Sequence, residues 1–232
     1  MKIKFKNQFF SVIAIAFLSV LLTSCAQEES KDVNPNKIYT EYELFYDANQ
    51  DKTFASAIFK FSNVGGTNLK LSLPANIKFN GDELAYDPTF AYYRKEYAGK
   101  LTAGTFIYTD STRKTFTNQV NLAPAIENPA ITEINRAGSF TYTWIGEPVK
   151  ANETIGLIIA NAANATNYQL FIQNTLSSQN LVLPLNQLNA LVAGDANCTI
   201  DRQVEVPVKE GTSVGGKQRG KYRALNRKVT IK

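Results

Sequence analysis

Ser139-Phe140-Thr141-Tyr142-Thr143-Trp144 alternates aromatic and hydroxyl side chains without a break. A period of two places Phe140, Tyr142 and Trp144 on one face of an extended chain and the hydroxyls on the other. This is a strand with one side in a core and the other toward water. The same alternation recurs on both sides of it. Upstream it marks Thr40 to Tyr46, Phe54 to Phe61, Leu69 to Leu73, Leu84 to Tyr86, Ala91 to Glu96, Gly104 to Thr109 and Lys114 to Val120. Downstream it marks Glu153 to Ala160, Tyr168 to Asn174, Asn180 to Leu183, Gln203 to Val208, Lys221 to Leu225 and Lys228 to Ile231. Turn signals separate the strands. Asn80-Gly81, after Ile77-Lys78-Phe79, is the sharpest of them, because both residues readily take the positive φ of a two-residue hairpin turn.

Many short strands with frequent turns predict an all-β fold, and two Ig-like antiparallel β-sandwich domains fit the spacing. The boundary falls in Leu122 to Pro129, where Pro124 and Pro129 interrupt any central strand. Residues 38–123 then form the first domain and 124–232 the second. One short helix is expected in the second, over Pro184 to Ala193. Proline suits its first turn, Leu185, Leu188, Leu191 and Val192 share a face, and Gly194 ends it. A single large jelly roll is the alternative architecture.

Composition excludes several chemistries. The chain has 232 residues and no histidine, which removes imidazole-dependent triads and most zinc or copper sites. The sequence implies no cofactor, no metal ligands and no catalytic residues. The net charge of +5 is uneven. Residues 209–232 hold eight basic side chains and one acidic, whereas residues 25–208 hold 14 basic and 19 acidic. No nucleic-acid partner is expected from so mildly acidic a body.

The N-terminus divides into Lys2, Lys4 and Lys6, an apolar run from Phe9 to Leu22, and Leu22-Thr23-Ser24-Cys25. This is the three-part layout of a secretory signal. The run reaches roughly 21 Å as a helix, short of a bilayer core of about 30 Å. Leu22 to Cys25 resembles the lipobox of bacterial lipoproteins. The resemblance implies removal of residues 1–24, a diacylglyceryl thioether on Cys25 with an amide-linked acyl chain, and a membrane partner through that anchor. Ala26-Gln27-Glu28-Glu29 looks like the surface-export signal of Bacteroidota-type lipoproteins, and the strand-rich body loosely resembles their paired Ig-like modules. These resemblances imply an outer-membrane protein facing the cell surface. They point to a non-enzymatic binding, adhesion or structural role, or to an accessory subunit of an outer-membrane or polysaccharide-utilisation assembly. A carboxylate-dependent hydrolase is the rival reading. Residues 25–37 are polar and expected to be a flexible tether.

Two groups of residues are candidates for contact with a glycan or protein partner. Tyr92, Tyr93 and Tyr97 lie in an aromatic-rich stretch that suits either an exposed platform or a core. Arg219, Tyr222 and Arg223 lie in the basic tail, which suits either an anionic ligand or an edge strand guarded by charge. Asp47-Ala48-Asn49-Gln50-Asp51 begins like a calcium loop, but Lys52 and Ile58 stand where that loop needs glycine and glutamate, so a turn is expected. Cys198, the second of two cysteines, is expected to be a buried small hydrophobe. Asp110-Ser111-Thr112 resembles a short acceptor motif for O-glycosylation.

Overall fold

The computed structural model describes residues 28–232. Cys25 and the signal segment lie outside the described residues. The first half runs through β1 (Ile38–Asp47), β2 (Lys52–Phe61), β3 (Asn76–Phe79), β4 (Asp82–Glu83), β5 (Ala85–Asp87), β6 (Tyr92–Ala98), β7 (Ala103–Thr109) and β8 (Thr115–Asn121). The second half continues with β9 (Ile126–Glu127), β10 (Glu133–Ile134), β11 (Phe140–Thr143), β12 (Ile145–Gly146), β13 (Glu153–Asn161), β14 (Tyr168–Gln173) and β15 (Asn180–Leu183). One helical turn, α1 (Leu185–Leu188), precedes β16 (Gly194–Pro207), β17 (Gly216–Arg223) and β18 (Arg227–Ile231). The fold is all-β, as the alternation predicts.

Two cores form, one from each half. In the first, Tyr42 stacks on Phe106 at 4.9 Å and Phe59 tilts against Tyr108 at 4.6 Å, with Leu44 and Phe79 fully buried. The second gathers Tyr142, Trp144, Ile155, Leu157, Leu183, Leu188 and Ile200. Tyr142 and Trp144 are buried while Thr141 and Thr143 are exposed, and Phe140 packs partly buried against the same core. A four-stranded sheet, β4-β3-β7-β8, closes the first core, and the pairs β11-β15 and β12-β9 close the second.

A single ten-stranded sheet roofs both cores, in the order β10-β18-β16-β17-β1-β2-β6-β5, with β13 and β14 added beside β16. Its seam is β17. This strand pairs antiparallel with β16 and parallel with β1, matching Thr40 to Gly216 and Asp47 to Arg223. Close approach requires glycine at this seam. A Cβ on Gly220 would lie 1.9 Å from the Asn121 carbonyl oxygen, where the chain passes from the first core to the second.

Several elements differ from the sequence expectation. Residues 28–37, expected as part of a flexible tether, are docked on the first core. Ser30 N donates to the Lys70 carbonyl at 2.8 Å and Lys70 N to the Glu28 carbonyl at 3.0 Å, while Ser30 is wholly buried. Backbone pairing holds this stretch where its polar composition could not. Leu69 to Leu73 is not a strand. Leu69 and Leu71 point into the core, but the segment makes only isolated bridges at Asn68 and Lys70. The helix is one turn long rather than Pro184 to Ala193, because Leu188 and Leu191 reach the core whereas Leu185 and Val192 stay exposed. β16 begins nine residues before the expected Gln203, so Cys198 and Ile200 belong to it. The Asn80-Gly81 hairpin forms as expected, with φ of 50° and 91° between paired Phe79 and Asp82.

Candidate functional site

The sheet face turned away from the cores carries alternate residues of its strands. On β1, β17 and β16 most of these are charged, with Lys60 of β2 beside them, and they interlock. Arg219 Nη1 bonds Glu43 Oε2 at 3.1 Å while its Nη2 bonds Glu205 Oε2 at 2.6 Å. Arg223 grips both oxygens of Asp201, at 2.7 and 3.0 Å. Lys221 reaches the same carboxylate at 2.8 Å, and Lys217 reaches Glu205 at 3.3 Å. The register dictates this, since Glu43, Arg219 and Glu205 are direct cross-strand neighbours. Burial disfavours the charge on Asp201, but the bonds from Arg223 and the charge of Lys221 outweigh it and hold the carboxyl below its usual range. Glu205 is lowered in the same way, burial being overcome by Arg219. Arg219 and Arg223 are thus fixed and locally neutralised.

Aromatic rings continue this face. Phe45 stacks on Phe54 at 5.7 Å, Arg94 lies 3.9 Å above the Phe54 ring, and Lys221 and Arg223 each lie 5.1 Å from Phe45. Tyr92 belongs here, half-buried, its hydroxyl accepting from Arg94 Nη1 at 3.1 Å. The other two tyrosines of that stretch point elsewhere. Tyr93 is 7% exposed and its hydroxyl accepts from Leu71 N at 2.6 Å, burial pushing its pKa up to about 12. Tyr97 is half-buried, and its hydroxyl donates to Asp82 Oδ2 at 3.1 Å. Burial, then that bond, push it up to about 12.

Tyr222 lies on the inner face of β17, apart from Arg219 and Arg223. There it lines a cleft of 480 Å³ between the two halves of the molecule, with Tyr46, Ala48, Ile126, Glu127, Asn128, Ala224, Leu225, Asn226 and Arg227. The Tyr46 and Tyr222 rings meet at 5.4 Å with a 48° tilt. Tyr46 is anchored, its hydroxyl donating to Asp51 Oδ1 at 2.9 Å. The walls are pinned to one another. Asn49 donates to the Ala224 carbonyl at 3.0 Å and accepts from Asn226 N at 2.8 Å. Asn128 donates to the Leu225 carbonyl at 2.7 Å and accepts from the Tyr142 hydroxyl. Leu225 stays 65% exposed at the rim. Burial, with the nearby Glu127 charge, raises the Tyr222 pKa. A preformed concavity floored by the half-buried Tyr222 ring, with the Glu127 and Arg227 charges at its wall, can hold a ring and bond its hydroxyls.

Of this cleft, sequence reading found Tyr222 alone. Tyr46 and the residues from Glu127 to Asn128 were hidden in a strand end and a linker. Clefts commonly form where two packed cores meet, and no local pattern in the sequence reports that meeting. The Asp47 to Asp51 loop is a turn. Asp47 Oδ1 accepts from Asn49 N at 2.9 Å and its Oδ2 from Gln50 Nε2 at 3.1 Å. Among the described residues no acidic or cysteine cluster is arranged to hold a metal, and no helix is long and apolar enough to cross a membrane. Cys198 is fully buried, and burial pushes its thiol up to about 12. Thr112 is exposed at the tip of the β7–β8 hairpin, where Asp110 caps the turn by accepting from Thr112 N at 2.8 Å.

No protein-family model matches the chain, and no curated protein does. Among solved structures it is similar to one from a study of how a 1.5-MDa bacterial ice-binding adhesin is retained on the host cell surface. The identity is 11% and the TM-score 0.26, over 83% of this chain and 65% of that one.

Proposed function

We propose that this chain is a non-enzymatic binding protein of a bacterial envelope, held by lipid on Cys25, and that it seats a sugar ring in the cleft between its two cores. The cores are read as two Ig-like sandwich units fused through β17. The single observation that carries the binding reading is the pinned cleft itself, with Tyr46 and Tyr222 on one side and Glu127, Asn128 and Asn226 around them. The anchor reading rests on the lipobox-like residues Leu22 to Cys25. With residues from Glu28 onward docked, only Ala26 and Gln27 separate that sulfur from the folded body, a reach of about 10 Å. The body therefore rests close to the bilayer.

Titration of the full chain in detergent against oligosaccharides tests the cleft. Tyr222→Ala is expected to weaken binding by about tenfold or more, as loss of a buried aromatic contact does. Arg219→Gln, on the opposite face of the sheet, is expected to leave affinity unchanged. Absence of saccharide binding, or equal loss from both variants, overturns the proposal. Intact mass of the N-terminal peptide tests the anchor.

A further inference from the structure

We propose that the chain forms a two-fold dimer by antiparallel pairing of β14 with β14 of a second copy. This strand is an edge of the ten-stranded sheet, paired through its backbone only with β13, while its last residue, Gln173, donates from its side chain to the Asn180 carbonyl at 3.0 Å. Natural edges are usually short, charged or interrupted by proline. The other ends of this sheet obey that rule. β10 is two residues long and its Glu133 is paired with Lys232, and β5 is three residues long and ends in Asp87. β14 is different. Tyr168-Gln169-Leu170-Phe171-Ile172-Gln173 carries no charge, proline or glycine. Its side chains on the outer face remain open to solvent, Tyr168 at 54%, Leu170 at 47% and Ile172 at 61%.

A second copy is the occupant that this edge fits. An antiparallel pair centred on Leu170 sets Leu170 against Leu170 and each Tyr168 against Ile172 of the other copy. Aromatic–aliphatic cross-strand pairs of this kind stabilise sheets. The stretch is its own complement, which is what an isologous interface requires, and with no charge in it no like charges are brought together. Beyond Ile172 lies a depression of 240 Å³, left open by Gly156, with Ile158 and Leu170 on one side and the paired charges of Asp201, Lys221 and Arg223 on the other. The Tyr168 ring of the second copy faces Ile172 and that depression. One sheet would then run through both molecules.

Cysteine crosslinking of the full chain in intact cells tests the pairing. Leu170→Cys is expected to give a disulfide-linked dimer, because the two-fold axis sets the two thiols opposite each other. Val182→Cys, more exposed but on β15, is expected to stay monomeric on a non-reducing gel. The buried Cys198 does not interfere. In sedimentation of the full chain in density-matched detergent, Leu170→Lys is expected to weaken the dimer by about tenfold or more, since the two-fold axis would set two ammonium groups directly opposite each other. Trp144 fluorescence confirms that this variant is folded. A monomeric wild-type chain, or crosslinking through residue 182 as efficient as through residue 170, overturns the proposal.

Discussion

At Asp201, burial and pairing pull one carboxyl in opposite directions, and pairing wins. Its folded pKa lies below the unfolded value of about 3.9. The resulting stability is therefore complete above about pH 4 and disappears as pH falls through the lower folded value. Asp201→Asn is expected to be less stable than the wild type at pH 7. The difference should narrow as denaturant melts are repeated from pH 5 toward pH 2; a constant difference would show that Arg223 does not hold the charge. The basic residues of the tail were visible in the sequence, but their neutralisation was not. Glu43 stands 176 positions from Arg219, and only the parallel register brings them together. Tyr92 and Tyr93 illustrate the same limit. Alternation says that adjacent residues face opposite ways, and only the packed sheet says which way is inward.

At the level of strands and turns, local chemistry was legible wherever it was self-sufficient. Asn80-Gly81 formed its hairpin because both positive φ angles are cheap for those residues. Pattern reading failed where partners lay far away. The first half of β16 reads as a loop through Gly194-Asp195-Ala196-Asn197, yet it is paired on both edges, by β13 and β18. Gly220 shows how tightly elements meet. Gly220→Ala would drive a methyl to 1.9 Å from the Asn121 carbonyl, so backbone must shift. A loss of about 1–3 kcal/mol is expected from such overpacking, read as a lower urea midpoint with unchanged slope. An unchanged midpoint would show that the crossing after β8 yields freely.

Across the whole molecule, two cores share one sheet, which has consequences for cooperativity. Trp144, the single tryptophan, sits in the second core, while Leu44 is buried in the first. Leu44→Ala is expected to cost about 2–5 kcal/mol. Because β1 pairs along its length with β17, Trp144 fluorescence should report that loss as a single transition at lower denaturant, coincident with circular dichroism. A Trp144 transition that does not move would mean that the halves melt independently. A parallel bond between β1 and β17 leaves no local trace in the sequence. That bond also orders events in time. A polypeptide synthesised N-terminus first presents β1 early, while its parallel neighbour β17 follows 176 positions later. The shared sheet cannot close until β17 is available to bridge β1 and β16. Until then β1 has only its antiparallel partner β2, so the shared sheet is completed late in synthesis rather than at its start.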